Sequence, residues 1–491
     1  MKVILAGYNV DSSVLKELKS TSSRADITPE ILSAAYARIS RDARPVDELR
    51  AVARREVEKA KCSNQNIIFK MGHHSVAEHA VFNFDIIGIS RLATEELEKF
   101  RLCSYTEKSQ RYISLKDDFV IPEEIRKVGM QEIFVKMIRE QNDLYHKLYK
   151  KLYPHMFNKN SHMADDKKNQ KIIDGWAKED ARYVISLATE GQLGMTVNAR
   201  SLEYLIRRFA SKSLIEVKEL KEKLYKLAKK VAPSIILFTE ANDFDSRTYP
   251  DLEETAGKCM GNFPANVGKS VELVDFSSDA DLRLVAALLH TSSSNPYSQC
   301  LEKAKSLSEA ELLSLIKTTF KHMEFFDAAL REFEFIDVTF DLIISATCFA
   351  QLKRHRMATL TTQNYNPYLG VTIPASVEEI GMRDKFLQIM EKTNDVYLKL
   401  QKRIESGAEY VLTNAHKRRV LFKINARELY HFSRLREDAT AQWDIREIAA
   451  HMCEAAKNVM PKTCLMLGGK DVYPEIYKKI FKKAPKLKPF L

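Results

Sequence analysis

Alternating apolar and polar positions predict β-strands in both halves of the chain. In AVFNFDII (80–87) and FIDVTFDLII (335–344), hydrophobic residues recur at every second position, and β-branched and aromatic residues are frequent. A period of two places these side chains on one face of a strand. The segment MKVILAGYNV (1–10) also has the pattern of a short, buried strand.

Helical periodicity predicts a helix directly after each alternating segment, over 90–102 and 345–357. Ser90 and Ser345 are expected as N-caps, because a serine hydroxyl accepts a hydrogen bond from the first turn of a helix. Longer amphipathic helices are expected over 129–153 and 382–405. Strands that lead into helices, with a large helical share, indicate an α+β fold in which a β-sheet packs against long helices.

The same pattern occurs twice along the chain. Three segments recur in order: ILSAAYARISRD (31–42) and LVAALLHTSSSN (284–295); FDIIGISRLATEELEKFRLCSYTEKSQRY (84–112) and FDLIISATCFAQLKRHRMATLTTQNYNPY (340–368); VNARSLEYLIRRF (197–209) and INARELYHFSRLR (424–436). An internal repeat of this size predicts two related domains. We expect these domains over 1–245 and 271–491, a linker over 246–270, and an inserted polar loop over 159–171.

Composition limits the classes of partner. The 491 residues carry a net charge of +11, which suits a nucleotide, a dinucleotide, folate or nucleic acid. A lysine-rich solvated surface explains the same charge, so nucleic acid is not the expected partner. No run reaches the roughly 20 apolar residues of a membrane span, and the N-terminal residues lack the pattern of a signal peptide. The seven cysteines are scattered without a C-x-x-C pair. We therefore expect a cytoplasmic protein with reduced thiols.

Three basic residues, Arg354, His355 and Arg356, stand at the end of the helix predicted over 345–357. The helix dipole stabilises cations at a C-terminus, and this explanation needs no ligand. The same residues can instead form a guanidinium fork for a phosphate, with an imidazole beside a ring system. Gln351 lies three residues before Arg354 and shares its helix face.

A second polar set consists of Asn425, Arg427, His431 and Arg436. Arg427 and His431 are four residues apart and share one face. Asn425 and Arg436 share another face, because each residue turns the helix by about 100°. Either the helix serves two sites, as in a protein whose sites lie between subunits, or Asn425 precedes the helix. An amphipathic helix with surface arginines is the remaining alternative.

The first half has a carboxylate, a hydroxyl and a guanidinium at alternating positions, Glu107, Ser109 and Arg111, in a predicted loop. Such a loop can hold a sugar hydroxyl, a phosphate and a ring. Upstream, GHHSVAEH (72–79) combines three histidines with a glutamate. The H-E-x-x-H spacing of a zinc site is absent, so no metal site is expected.

Together these motifs resemble the flavin-dependent thymidylate synthase (ThyX) family, present as two tandem and diverged copies. The first copy carries GHHSVAEH (72–79), EKSQRY (107–112), Ala181-Arg182 and NARSL (198–202). The second copy carries QLKRHR (351–356), NAR (425–427), His431, Arg436 and AQWDIRE (441–447). The resemblance spans nearly the whole chain, and the combination of motifs is specific although no single motif is.

Each copy lacks motifs that the other keeps. The first copy has Lys99 and Phe100 in place of the Arg-His pair, Glu96 in place of the glutamine and Phe209 in place of the last arginine. The second copy lacks the GHxSxxEH segment and has Thr362, Asn364, Asn366 and Glu409 in place of Glu, Ser, Arg and the arginine of A-R. In the family, several subunits of a homotetramer assemble each site. We hypothesise that the two copies complement each other in a composite active site, and that the protein is a homodimer forming a pseudo-tetramer.

The resemblance implies an enzyme that transfers a one-carbon unit from methylenetetrahydrofolate to C5 of dUMP, giving dTMP, with FAD reduced by NADPH. It implies that Arg436 is catalytic and stabilises the ionised uracil. The residues implied in binding dUMP are Gln351, Arg354, Glu107, Ser109, Arg111, Arg182 and Arg436. The residues implied in binding FAD are Ser75, His73, Glu107, Arg354, His355, Arg356, Asn425, Arg427 and His431.

Two other functions are compatible with the sequence. A related flavoenzyme that acts on another pyrimidine nucleotide or one-carbon donor is compatible with Asn364 and with the missing glutamate of the second copy. A non-catalytic paralogue that binds nucleotides or nucleic acid is compatible with the basic charge. A protein that takes up no FAD favours the paralogue, whereas a flavoprotein that oxidises NADPH without making dTMP favours the related flavoenzyme.

Overall fold

The chain forms two compact units. A computed structural model describes residues 1–15, 28–39, 42–56, 62, 64–70, 72–111, 117–261, 263, 266–324 and 327–486. Unit 1 contains Met1–Pro264 and Asp384–Leu412, and unit 2 contains Ala265–Arg383 and Thr413–Leu491. Packing thus assigns a segment of the second sequence copy to unit 1. Each unit combines a four-stranded antiparallel sheet with helices, which confirms the predicted α+β fold.

The sheet of unit 1 has the strand order β1-β2-β4-β3. Its strands are β1 Lys2–Tyr8, β2 Val81–Ser90, β3 Cys103–Glu107 and β4 Glu190–Asn198. The alternation in β2 buries Phe82 and Phe84 and exposes Asn83 and Asp85, as the period of two predicts. Gly88 has a φ of 71° where the register between β2 and β4 shifts, a conformation that favours glycine.

The sheet of unit 2 repeats this topology with the order β5-β6-β8-β7. Its strands are β5 Val271–Phe276, β6 Asp337–Ser345, β7 Thr359–Thr362 and β8 Lys417–Asn425. In each sheet the two outer strands flank a central antiparallel pair. The central pair is β2 with β4 in unit 1 and β6 with β8 in unit 2. Two sheets with the same order and connectivity are the structural counterpart of the sequence repeat.

The described residues also form helices. In chain order they are α1 Glu30–Arg38, α2 Val46–Arg55, α3 Arg91–Leu97, α4 Glu123–Lys127, α5 Gln131–Lys159, α6 Lys167–Ala181, α7 Ala199–Ala210, α8 Ile215–Val231, α9 Asp243–Met260, α10 Ala280–Ser292, α11 Tyr297–Ser306, α12 Glu309–Phe320, α13 Ala346–Leu352, α14 Ala375–Glu379, α15 Arg383–Gln401, α16 Ala426–Arg436, α17 Trp443–Val459 and α18 Tyr473–Phe481. In the described part of the chain, none of the helices combines the length and the apolar character needed to cross a bilayer.

The apolar cores explain why these helices pack on the sheets. In unit 1, the buried faces of β2 and β4 contact one side of α7 and α8, through residues that include Phe82, Met195, Leu205, Phe209 and Leu220. In unit 2, the corresponding core combines β6 and β8 with α10, α12, α16 and α17. Burial of these apolar surfaces is the main force that holds each helix layer on its sheet.

Unit 1 takes its long helices from both sequence copies. Gln141 of α5 donates a hydrogen bond from Nε2 to Thr393 Oγ1 of α15 (2.9 Å) and another to the Val411 carbonyl (3.0 Å). The backbone N–H of Ala188 donates to the carbonyl of Tyr410 (3.0 Å). These bonds are buried, and they explain why the segment 384–412 belongs to this unit.

The turn from the second sheet strand into the next helix has the same construction in both units. Ser90 caps α3 by accepting a hydrogen bond from the Ala93 N–H, and Ser345 caps α13 by accepting one from Cys348. Both predicted N-caps are therefore confirmed. Each serine hydroxyl also donates to a carboxylate from a later helix, Ser90 to Glu216 (2.6 Å) and Ser345 to Asp444 (2.5 Å).

Two helices are shorter than the sequence predicted. The helix expected over 90–102 ends at Leu97, where the Tyr105 hydroxyl donates to the carbonyl of Leu97 (2.9 Å) and satisfies part of the helix end. The helix expected over 345–357 ends at Leu352. Arg354, His355 and Arg356 therefore lie in the turn after α13, and the prediction of a basic helix terminus was wrong.

Two segments predicted as irregular contain helices. Most of the proposed linker 246–270 lies in α9, which begins with a capping box between Asn242 and Asp245. Part of the proposed loop 159–171 is the start of α6, where Asp166 accepts a hydrogen bond from Lys168 N–H. In both cases a polar cap residue starts a helix whose surface is mostly polar, so hydrophobic periodicity gave little signal.

We predict that Glu216→Ala destabilises unit 1 strongly. The Glu216 carboxylate accepts hydrogen bonds from the Ser90 N–H and hydroxyl and from the Tyr410 hydroxyl (2.7 Å). Its removal leaves buried donors without an acceptor, a loss of about 1–3 kcal/mol or more in the free energy of unfolding. The control Glu219→Ala, on the same helix, removes an exposed ion pair with Lys223 and is expected to cost under about 1 kcal/mol. Denaturant titration measures both values, and equal losses would contradict the prediction.

We predict that His416 makes the stability of unit 2 pH-dependent. Its imidazole is buried, its Nδ1 accepts a hydrogen bond from the Thr413 N–H (2.9 Å), and burial lowers its pKa to about 4. The unfolded chain takes up the proton first, so the contribution to stability is fully present above about pH 6.5 and is lost as the pH falls towards 4.

The expected slope is about 1.4 kcal/mol per pH unit across that window. Denaturation midpoints of the wild type, of His416→Gln and of the exposed-site control His162→Gln, measured between neutral pH and pH 5, test this. Only His416→Gln is expected to flatten the curve, and a curve unchanged by that substitution would contradict it.

Candidate functional site

A pocket opens in unit 1 beside the end of β3. It encloses about 670 Å³ of empty space, counting the part open to solvent. Its lining residues are Arg91, Thr94, Glu107, Lys108, Ser109, Gln110, Asp118, Tyr145, Arg182, Ile185, Thr189, Glu190 and Gly191. The size suits a small molecule, and the lining is dominated by charged and hydroxyl side chains rather than by apolar ones.

Two buried guanidinium groups form part of the pocket wall. Arg91 is the first residue of α3 and Arg182 follows α6, and their exposed fractions are 6% and 8%. Burial lowers the pKa of Arg182 from its usual value, which means that desolvation disfavours the cation. A buried cation is stabilised by nearby anions: Arg91 pairs with Glu107, and Glu179 acts on Arg182. Guanidinium groups in such a wall can also donate to an anionic ligand.

The end of β3 and the loop after it contribute the two predicted residues Glu107 and Ser109. Glu107 is the last residue of the strand rather than a loop residue as the sequence predicted, because it pairs with Leu193 of β4, and Ser109 follows in the loop. Glu107 accepts a hydrogen bond from Arg91 Nη1 (2.8 Å), and this ion pair is almost wholly buried. The Ser109 hydroxyl accepts one from the Arg111 N–H (3.2 Å). The structure therefore brings Glu107, Ser109 and Arg182 around one pocket.

Arg111 does not line this pocket, and its side chain binds Glu179 instead. Its guanidinium donates a short hydrogen bond to the buried carboxylate of Glu179, one turn before Arg182. Arg111 is not among the lining residues, so the geometry gives it a role in holding Glu179 rather than direct access to the pocket. Tyr112, the last residue of the same motif, lies outside the described residues.

Sequence reasoning did not select Arg91 or Tyr145, which both line the pocket. Arg91 directly follows the N-cap Ser90, whereas Ala346 follows the matching Ser345. The available signal for Arg91 was that a cation follows the buried strand in one copy, whereas alanine stands at the matched position of the other copy. Tyr145 had none, because it lies on the buried side of the amphipathic helix α5, where an aromatic residue is ordinary core.

A second polar cluster lies in unit 2 around His355. The imidazole is buried, with 5% exposed, and its Nε2 accepts a hydrogen bond from Arg436 Nε (3.0 Å). Its Nδ1 lies 3.1 Å from Glu428 Oε1. A neutral ring that carries its proton on Nδ1 satisfies both partners, and we assign this tautomer from the hydrogen bonds. Burial lowers the pKa of His355, which agrees with a neutral ring.

Gln351 and Gln442 extend this cluster. Arg436 Nη2 donates to the Gln351 carbonyl (3.3 Å), and Gln351 Nε2 donates to Gln442 Oε1 (3.2 Å). The structure thus brings together the predicted residues Gln351, His355 and Arg436. It adds Glu428, which the sequence reasoning missed because an acidic residue in the first turn of a helix is common.

The other predicted residues of this region have different environments. Asn425 is the N-cap of α16 and accepts a hydrogen bond from the Glu428 N–H, so it precedes the helix, as one alternative held. Arg427 donates to the Ala329 carbonyl (2.8 Å) and to Glu334 (3.0 Å). The side chains of Arg354, Arg356 and His431 are exposed.

His355, Glu428 and His431 are also a group that a metal ion can use, because their ligand atoms lie within 4.8 Å of one another. Two observations oppose a cation there. Arg436 places a positive charge against His355 Nε2, and Glu428 already faces Nδ1. Both ring nitrogens of His355 therefore have hydrogen-bond partners. Arg436, His355 and Glu428 form a hydrogen-bonded chain from a guanidinium to a carboxylate.

The GHHSVAEH segment of unit 1 forms a 3-10 helix over His74–His79. His73 and Ser75 are exposed, as their predicted roles require, while Glu78 forms an ion pair with Arg200. The ring of His79 packs edge-on against Tyr36, with centroids 4.6 Å apart. In this arrangement Glu78 and His79 have structural partners, and His73 and Ser75 face solvent.

Comparison with known proteins gives two kinds of match. The family model described as "Thymidylate synthase complementing protein" matches residues 25–234 and 272–462, so it matches the chain twice. A UPF0159 protein of Thermoplasma acidophilum is 24% identical over 474 residues, covering 87% of this chain and 93% of that protein. A flavin-dependent thymidylate synthase of Geobacter sulfurreducens is 31% identical over 216 residues, covering 42% of this chain and 80% of that protein.

Among solved structures, a flavin-dependent thymidylate synthase ThyX from Helicobacter pylori, in complex with FAD and dUMP, matches 49% of this chain and 100% of its own. The identity is 19% and the TM-score is 0.31. At that TM-score the likeness carries no argument about this chain.

Proposed function

Because the chain belongs to the thymidylate synthase complementing protein (ThyX) family and carries two tandem copies of it, we propose that it is a flavin-dependent thymidylate synthase. In this proposal it methylates dUMP to dTMP, with methylenetetrahydrofolate as the one-carbon donor and NADPH as the source of reducing equivalents for FAD. The observation that carries the proposal is the anionic-ligand pocket of unit 1, where Glu107, Ser109 and Arg182 meet.

The pocket has groups for each part of a pyrimidine nucleotide. The Arg182 guanidinium can attract a phosphate or an ionised uracil, because both ligands are anionic and the site is partly desolvated. Lys108 adds a second cation, and the carboxylates of Asp118 and Glu190 also line the pocket.

Ser109, Thr94 and Thr189 also line the pocket. The Ser109 hydroxyl accepts from the Arg111 N–H and so keeps its own proton to donate to the sugar, whereas the Thr94 hydroxyl donates to the Ser90 carbonyl and can only accept. In this assignment Arg182 holds the uracil, and the Arg91–Glu107 pair fixes the pocket wall.

The chain supplies electrostatic positioning rather than a protein nucleophile. A cation beside the uracil ring stabilises negative charge on it and so makes C5 nucleophilic. The resemblance gives this role to Arg436, which is oriented by His355 and Gln351 in unit 2. The composite site that would join Arg436 to the pocket residues stays a prediction, as does the homodimer.

The exposed cations of unit 2 fit the binding of FAD. Arg354, Arg356 and His431 have exposed side chains, and guanidinium and imidazole donors are the chemistry that a pyrophosphate requires. In unit 1, His73 and Ser75 are likewise exposed. FAD, when bound, supplies the hydride transfer that no side chain can perform.

Three further residues assigned to FAD have partners inside the fold. The Asn425 side chain caps α16, Arg427 pairs with Glu334, and His355 lies between Glu428 and Arg436. In this proposal these residues shape the binding surface, whereas Arg354, Arg356 and His431 contact the cofactor.

A second candidate is a related flavoenzyme that acts on another pyrimidine nucleotide or one-carbon donor. Glu428 favours it, because the matching position of the first copy is Ser201 and the carboxylate changes the charge around His355. The product formed from dUMP separates the two candidates. A flavoprotein that oxidises NADPH but forms no dTMP would support the second candidate.

We predict that Arg182→Ala weakens dUMP binding about 10- to 100-fold, because a charge-assisted hydrogen bond is worth roughly 1.5–3 kcal/mol. Isothermal titration with dUMP measures the change. The control Arg126→Ala removes an exposed guanidinium of α4 that is not among the lining residues, and it is expected to bind dUMP like the wild type. Normal affinity in Arg182→Ala would contradict the assigned pocket.

We predict that the purified protein takes up FAD and that Arg354→Ala/Arg356→Ala reduces FAD affinity at least about 10-fold, from the loss of two charge-assisted contacts. Flavin absorbance after gel filtration and fluorescence titration measure this. Arg383→Ala, which removes an exposed arginine paired with Glu378, is the matched control. A wild-type protein that binds no FAD would count against the proposed enzyme.

A further inference from the structure

The two sequence copies can be compared position by position, because their sheets share a register. Ser104 pairs with Thr196 in unit 1, and Thr359 pairs with Lys423 in unit 2. Ile89 pairs with Gly191, and Ile344 pairs with Arg418. The caps Ser90 and Ser345 are also equivalent. The pocket-lining residues on these strands and on the loops next to them can therefore be matched to counterparts in unit 2.

Three pocket-lining positions of unit 1 carry larger side chains in unit 2. Gly191 corresponds to Arg418, Thr94 to Phe349 and Gln110 to Tyr365. These substitutions replace a residue without a side chain and two small polar residues by a guanidinium and two aromatic rings. At these three positions the counterpart of the pocket contains more side-chain volume.

Arg418 is held between the two aromatic rings. Its guanidinium carbon lies 4.8 Å from the centre of the Phe349 ring and 4.3 Å from the centre of the Tyr365 ring. Phe349 is fully buried, and the exposed fractions of Tyr365 and Arg418 are 2% and 5%. A cation between two ring faces is attracted by both π-systems, most strongly where water is excluded.

Hydrogen bonds fix the same guanidinium in its plane. Arg418 Nε and Nη2 both donate to the Gln363 carbonyl (2.8 and 2.7 Å), and Nη2 also donates to Thr362 Oγ1 (3.0 Å). Gln363 and Thr362 are the counterparts of Lys108 and Glu107, which line the pocket of unit 1. The guanidinium thus occupies hydrogen-bonding groups that a ligand in this position would need.

The anion-binding groups of the first copy are absent from the second. Ala346 stands in place of Arg91 and Thr362 in place of Glu107. A nucleotide phosphate in this position would lose the guanidinium that Arg91 supplies in unit 1. The loss of groups that could bind a ligand and the filling of the space both indicate that this part of unit 2 does not bind a nucleotide.

We infer that the second copy of the pocket is permanently closed by Arg418, and that each chain therefore binds one pyrimidine nucleotide, in the pocket of unit 1. The number of nucleotides rests on the proposed function, whereas the closure rests on the packing of Arg418 alone. Arg418 is a structural cation of unit 2 and does not contact the substrate.

The test counts dUMP molecules bound per chain by equilibrium dialysis with the full-length protein at saturating dUMP. One dUMP per chain is expected in the wild type, clearly less than one in Arg182→Ala at the same concentration, and one in Arg418→Ala. Two dUMP per wild-type chain would overturn the inference. Loss of dUMP from a folded Arg418→Ala, with retention in Arg182→Ala, would also overturn it, because Arg418 would then be a ligand.

Thermal unfolding tests the closure separately from nucleotide binding. Arg418→Ala is expected to lower the unfolding midpoint by at least about 2 °C, and the control Lys423→Ala, on the same strand with an exposed ion pair to Asp337, is expected to change it less. If Arg418→Ala does not fold, Arg418→Lys replaces it in the test. Lysine keeps the charge without the planar guanidinium, so Arg418→Lys is expected to unfold at a lower midpoint than the wild type. If the wild type binds no dUMP, the proposed function fails, while an unchanged midpoint in Arg418→Ala overturns the closure.

Discussion

The turn from the second strand into the following helix fixes most of what each unit can do. A buried serine caps the helix and donates its hydroxyl to a buried carboxylate, Glu216 in unit 1 and Asp444 in unit 2. Because the carboxylate belongs to a later helix, the turn connects three elements in a buried region. The residue after the cap is the first residue of the helix. In unit 1 that residue is Arg91, and its guanidinium forms the pocket wall.

Buried charges explain how the two copies diverged on one backbone. Arg91 and Glu107 form a buried ion pair, and loss of one partner would leave the other as an uncompensated charge. In the second copy both are replaced, by Ala346 and Thr362. Arg418 likewise occurs together with the two rings that enclose it. Such residues can change only as sets, so each copy has either an open polar pocket or a filled one.

The cluster around His355 shows a different use of burial. A neutral imidazole links the cation Arg436 to the anion Glu428, and each ring nitrogen has one partner. This chain holds the Arg436 guanidinium in a defined direction at low cost, because no polar group is left unsatisfied. A residue proposed to stabilise charge on a substrate needs that preorganisation. The side chains of Arg354 and Arg356 are exposed, which suits contacts with a cofactor.

Much of the fold followed from local pattern. Alternation identified β2 and β6, serine caps identified the helices after them, and the internal repeat predicted two sheets of one kind. These features depend on the chemistry of neighbouring residues, so the sequence contains them directly. The helix ends at Leu97 and Leu352 were not predictable in this way, because they depend on partners from other elements, such as the Tyr105 hydroxyl.

The candidate site also combines features that local sequence predicts with features that depend on distant residues. The sequence by itself determined the residue types, Glu107, Ser109 and Arg182 in one copy and Gln351, His355 and Arg436 in the other, because motifs preserve chemistry and spacing. Only the tertiary structure decided which of them meet, that Arg91 completes the pocket, and that Arg418 fills its counterpart. Those outcomes depend on strand register and on side chains that lie far apart in the chain, and periodicity along one segment does not record such distances.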